Sequence, residues 1–190
     1  MRMERPQTYN AVARHFHWWT FALVVIQVPL GIAMNIRGNW LNIWDGLTDN
    51  MYSGHKLTGV IIFFVVVARL GYRLSHGAPD DEPTLEPWQK LVSHITHWSI
   101  YGLLLTVPVV GWFAIQLYPA LDIFGLLSLP AIVSPNTAMS AWLLGLHRIL
   151  AIVLVLLVGM HVAAALFHYF IREDGVLARM IPRLAAPERR

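Results

Sequence analysis

Four of the nine histidines in this 190-residue chain, His17, His55, His147 and His161, lie at or inside strongly apolar stretches, and the chain has no cysteine. Neutral imidazole binds zinc, copper and iron alike, so the residue type names a chemistry without choosing the metal. Spacing adds more. His147 and His161 are fourteen residues apart on one long apolar segment. At about 1.5 Å and 100° per residue, one helix keeps both rings within roughly 40° of a single face and about 21 Å apart along its axis. With a partner histidine on another helix at each level, the chain would hold two stacked sites, the geometry an electron path across a membrane requires.

The elements that must carry these residues follow from composition. The chain is 56% hydrophobic and 13% charged, with a mean hydropathy of +0.53, outside the range of ordinary soluble domains. Four apolar stretches, at about 16–36, 53–74, 91–118 and 141–171, are long enough to cross a bilayer. The expectation is an all-α membrane four-helix bundle forming one domain over residues 1–190. Its first span is too long for the apolar region of a signal peptide and lacks a small-residue cleavage site after it, and Pro29 should kink it. The connection 75–90 contains GAPDDEPTLEP, whose prolines break a helix and whose acidic run Asp80–Glu82 reads as a solvated turn. The connection 119–140 is largely apolar, and FGLLSLPAIV suits the membrane interface.

Lysine and arginine set the orientation. Arg2, Arg5 and Arg14 precede the first span, Arg69 and Arg73 end the second, and more follow the fourth, whereas residues 38–50 and 119–140 have none. Both termini should therefore be cytoplasmic. His17 and His161 then belong to the inner side, His55 and His147 to the outer. One mismatch accompanies this placement: His17 is one turn from Arg14, but His161 is about three turns from Arg172, so helix tilt or overhang must align them.

A lone intramembrane histidine commonly makes a helix–helix hydrogen bond, but four divided by depth into two pairs imply ligation. Zinc usually takes three or four protein ligands, often with carboxylate or thiolate, and the spans offer almost no acid and no thiol. Two axial histidines for each of two haems match the inventory better, because the macrocycle supplies four nitrogens and suits an apolar bundle core. The absence of cysteine excludes disulfides, thioether-linked haem and thiolate-held iron–sulfur clusters within the chain. A formal charge of +3 with scattered arginines gives no nucleic-acid surface.

The segments YNAVARHFHWW, SGHKLTG, HITHWSIYGLLLTVPVVGW, GLHRILA and GMHVAAALFHYF, in this order, resemble the bacterial cytochrome b561 family of small dihaem inner-membrane proteins. The resemblance covers nearly the whole chain. It implies that His17, His55, His147 and His161 bind two haems b, and with the depth reading it pairs His17 with His161 and His55 with His147. It also implies electron transfer with ubiquinone or another quinone, with superoxide or a redox protein as a donor on the outer side, in a multi-pass protein of the bacterial inner membrane.

Other residues have secondary readings. His168 lies two turns after His161 on one face and could give a proton to quinone, or could be an interfacial residue that reaches for water. His94 and His97 could ligate, but polar contacts to a haem propionate or quinone are the preferred reading. Arg14, Arg69, Arg73, Lys56 and Arg148 flank the proposed haem edges, where cations pair with propionates; Lys56 and Arg148 stand on the outer side against the orientation rule and could attract superoxide. Most of the eight tryptophans suit interfacial belts, and His15 and His76, the latter placed in a loop, have no role. Two alternatives use the same ligands. One is a haem b anchor relaying electrons for a dehydrogenase or hydrogenase subunit. The other is a histidine-lined metal or proton transporter, although the chain lacks the repeat symmetry of such proteins.

Overall fold

A computed structural model describes residues 8–184; Arg2, Arg5 and residues 185–190, used in the orientation reading, lie outside them. Helix α1 spans Ala11–Asn35 and continues as a π-helical turn, Ile36–Trp40. Helices α2 (Gly46–His76), α3 (Pro87–Leu117) and α4 (Thr137–Phe167) follow, and α4 ends in a second π-helical turn, His168–Arg172. A two-residue hairpin, β1 (Asp122–Ile123) with β2 (Leu127–Ser128), sits between α3 and α4. All four helices are long and apolar enough to cross a membrane. Val25, Ile26, Phe64, Ile152 and Leu156 remain exposed on their outer faces, as expected where lipid replaces water.

Each helix begins four to seven residues before its apolar stretch, at 11, 46, 87 and 137. Polar caps explain this. Asn10 accepts from the Ala13 amide, Asp45 from Thr48 and Asn136 from Met139, each through a side-chain oxygen within 3.0 Å. At α3, Pro87 occupies the first turn and the Gln89 side chain accepts the Glu86 amide at 2.9 Å. Hydropathy marks where lipid begins; the caps mark where the helix begins. His76 is consequently the last residue of α2, not part of a loop, and stacks on Tyr72. Pro29 lies inside α1, which continues through it.

The inward faces repeat every seven residues, nearly two helical turns. The middle layer is apolar: Val24, Ile62, Leu104 and Leu154 form one buried cluster with Val66 and Tyr101. Seven residues from that layer toward the loops stand Gly31, His55, Gly111 and His147; seven toward the termini stand His17, Arg69, His97 and His161. Each step is about 10.5 Å, so the fold separates two polar layers by one apolar layer.

Both ends are tied down. At the loop end Lys56 donates to the carbonyls of Ala120 and Asp122, and Gln116 accepts the Ile132 amide at 2.7 Å. At the terminus end, residues 173–184 pack as a strap. The Tyr9 amide donates to the Arg179 carbonyl, the Arg179 guanidinium to the Asp80 carbonyl, and Trp18 Nε1 to the Met180 carbonyl. Asp80 and Asp81 of the acidic run are exposed, as a solvated turn requires, and Glu82 departs from that reading. Asp81 pairs with His94 at 3.0 Å, and buried Glu82 presses its carboxylate on Gly175, whose missing Cβ leaves the room.

Candidate functional site

Two histidine pairs occupy the two polar layers. At the loop end the ring centroids of His55 and His147 are 6.1 Å apart with planes at 80°; at the terminus end those of His17 and His161 are 6.3 Å apart with planes at 69°. The sequence pairing is thus the spatial one. His17 and His161 meet although Arg14 is one turn and Arg172 three turns away, because α4 continues past the layer of His161 into its π-helical turn.

The two layers differ in what surrounds the rings. At the loop end both rings press on glycine. A Cβ at Gly31 would stand 3.0 Å from His55 Cε1, and one at Gly111 would stand 2.9 Å from His147 Nδ1. Gly111 thereby lets His147 Nδ1 reach the α3 backbone, where it donates to the Val107 carbonyl at 3.0 Å. That bond fixes the tautomer and leaves Nε2 with its lone pair toward the bundle interior. The Gln27 amide on α1 donates to the His55 carbonyl at 3.1 Å and lies 3.3 Å from His55 Nε2, while His55 Nδ1 and Gln27 Oε1 are buried without a hydrogen-bond partner.

At the terminus end Arg69 and His97 take the corresponding places. Arg69 Nη2 lies 3.1 Å from His17 Nδ1, and the guanidinium also sits over the Tyr101 ring. His97 packs edge-on against His161 at 5.1 Å and has Ser93 Oγ 3.2 Å from its Nδ1. Arg73 lies over Trp98 and Tyr101. Together Arg69, Arg73, Tyr9, Phe16, Tyr101 and Met180 line a cleft between α1, α2 and the strap.

This donor set fits a b-type haem in three respects. Two imidazoles on opposite sides of one metal, each bonded at about 2 Å, place their centroids roughly 6 Å apart, which both pairs match. Each layer holds one facing pair, with His97 a third imidazole beside His161 at the terminus end, and among the described residues no group of three or more metal-ligating side chains converges, as a zinc site would need. The glycine contacts and the orphaned His55 nitrogen show a site shaped around rings and not around packed aliphatic side chains.

The remaining sequence candidates divide. His97 joins the terminus-end layer, but His94 is exposed and held by Asp81, away from it. Arg14 donates to the Tyr9 carbonyl at 2.5 Å. Lys56 faces loop carbonyls, Arg148 is exposed on α4, and His15 is exposed. His168 Nδ1 donates to Asp174 Oδ2 at 2.5 Å. Sequence reasoning missed Gly31, Gly111, Gln27 and Asp174. Gly31 lies fourteen residues after His17 and Gly111 fourteen after His97, which marks their face but not the ring each one meets; nothing local marks the other two.

A family model described as prokaryotic cytochrome b561 matches residues 8–183. Two Escherichia coli proteins, cytochrome b561 homolog 2 and homolog 1, are each 28% identical to the chain, covering 93% and 89% of it and 92% and 94% of their own lengths. A Yersinia pestis protein named "probable superoxide oxidase" is 26% identical over 92% of this chain and 96% of its own.

Proposed function

The chain belongs to the prokaryotic cytochrome b561 family, which makes it a multi-pass bacterial membrane oxidoreductase that transfers electrons through b-type haem, and from that premise we propose two haems, one on each histidine pair. In this reading residues 1–190 form a single dihaem domain in the inner membrane with both termini cytoplasmic. Electrons enter at the outer, loop end and leave to a quinone at the inner, terminus end. The observation that carries it is the pair of histidine couples, 6.1 and 6.3 Å between centroids, on opposite sides of one apolar layer.

Haem, when bound, supplies the one-electron iron chemistry; the chain orients and insulates it. His55 with His147, and His17 with His161, would hold the two haems. The Val107 carbonyl holds the His147 tautomer and raises its basicity. Arg69 and Arg73, with Arg14 nearby, would pair with the propionates of a haem at the terminus end. Val24, Ile62, Leu104 and Leu154 keep water out between the layers.

Superoxide is the proposed donor, suggested by the name of the Yersinia relative. Lys56, held by the carbonyls of Ala120 and Asp122, and exposed Arg148 each follow a loop-end histidine in sequence and would attract a small anion there. Ubiquinone or a similar quinone is the proposed acceptor, taking a proton from His168. Stopped-flow mixing of the haem-loaded protein with superoxide tests this. Rapid haem reduction, followed by reoxidation when quinone is added, is expected; slow, nonspecific reduction would leave an anchor for another redox subunit as the better reading.

A further inference from the structure

The π-helical turn that ends α4 positions a carboxylate that no part of the proposed path uses. His168 follows His161 by seven residues, so it stands one layer, about 10.5 Å, beyond the terminus-end pair. Glu173 then adopts a left-handed backbone, φ 51°, which turns the chain back on itself. The Asp174 amide bonds to the His168 carbonyl at 3.3 Å, and the Asp174 side chain folds under the ring.

The contacts there are specific. A carboxylate only accepts, so His168 Nδ1 is the donor in the 2.5 Å bond to Asp174 Oδ2. Asp174 Oδ1 accepts the Val176 amide at 3.1 Å, and Arg172 Nε lies 3.6 Å from Oδ2. The side chains of Asp174 and His168 are 5% and 12% exposed. Phe167, Phe170 and Ile171 on the same turn are 49%, 66% and 70% exposed. A polar dyad with one ring nitrogen outside its hydrogen bond thus sits beside exposed apolar side chains, which suits a lipophilic substrate.

We propose that Asp174 is a positioning residue that holds His168 as proton donor to a quinone at this turn, an inference that rests on the quinone reading above. The carboxylate keeps the Nδ1 proton in place, so the proton released is the one on Nε2, as in other carboxylate–imidazole pairs. Complete reduction of one quinone takes two electrons and two protons. The electrons come from two superoxide ions, each oxidised to dioxygen. His168 supplies one proton, its N–H bond breaking as a quinone O–H bond forms, and the ring regains a proton from water; the second proton also comes from water.

The test uses haem-loaded full-length protein reduced by superoxide and reoxidised by a short-chain ubiquinone analogue. Asp174→Asn should keep its b-type spectrum and its rate of reduction by superoxide. Its maximal reoxidation rate should fall roughly tenfold, with the half-saturating quinone concentration unchanged. His168→Gln should slow reoxidation by roughly a hundredfold, and adding Asp174→Asn to it should cost nothing more, because the two act as a unit. Normal reoxidation in Asp174→Asn while His168→Gln is slow would overturn the proposal and make Asp174 a tie for the strap. Normal reoxidation in His168→Gln would instead remove the quinone reading beneath it. If Asp174→Asn fails to retain haem, Asp174→Glu decides: slowed reoxidation at unchanged half-saturation supports positioning, and wild-type reoxidation overturns it.

Discussion

His55 and His147 make different contacts although both belong to the loop-end layer: one nitrogen of His147 is committed to Val107, while Nδ1 of His55 is buried without a partner. Single substitutions should therefore separate the sites cleanly. His17→Ala and His161→Ala are expected to remove the same spectral component, and His55→Ala and His147→Ala the other; redox-resolved difference spectra check this, and losses that cross the pairs would refute the assignment. Gly111 gives an independent test. Alanine there places a Cβ 2.9 Å from His147 Nδ1, so Gly111→Ala should displace the ring, cost about 1–3 kcal/mol and lower haem content to about one per chain. Gly102→Ala, with nothing within 4 Å of the new Cβ, is the matched control for stability and haem content. The histidines were legible in the sequence because an ionisable group in an apolar span stands out. The glycines were not, because what makes Gly31 and Gly111 important is a ring on another helix.

At the level of elements, the apolar stretches located all four helices but placed their starts too late, because Asn10, Asp45, Glu86 and Asn136 cap them outside the lipid-compatible windows. The Asp45 cap makes α2 sensitive to acid. Its carboxyl is held below the usual carboxylate range by the Thr48 amide first and by the Arg37 guanidinium next. A lowered carboxylate stabilises the fold above its ordinary value of 3.8, and that contribution disappears as pH falls through the lowered value. Protection against hydrogen exchange in the first turn of α2, taken relative to the intrinsic rate at each pH, should thus persist above that pH and fall below it, whereas in Asp45→Asn it should show no such step. The connection 75–90 was read correctly as a helix break. Of its acids Glu82 was misread, because it is buried against Gly175 of the strap, which no local pattern reveals.

For the whole molecule, orientation remains to be tested independently of the haems. Reporter fusions after residue 190 should be active only as cytoplasmic markers, and a reporter inserted between Leu126 and Leu127, at the exposed hairpin tip, only as an outer one; the reverse pattern would invert the proposed direction of electron flow. By itself the sequence determined the four spans, the fourteen-residue histidine interval and the family, since hydropathy, helical periodicity and motif order are all written along one strand of chain. Tertiary structure decided the rest. It brought His17 to His161 and His55 to His147, lined one layer with glycine and the other with Arg69 and His97, and folded Asp174 beneath His168. Contacts between helices depend on which faces meet across the bundle, and spacing along a single helix supplies only half of that geometry.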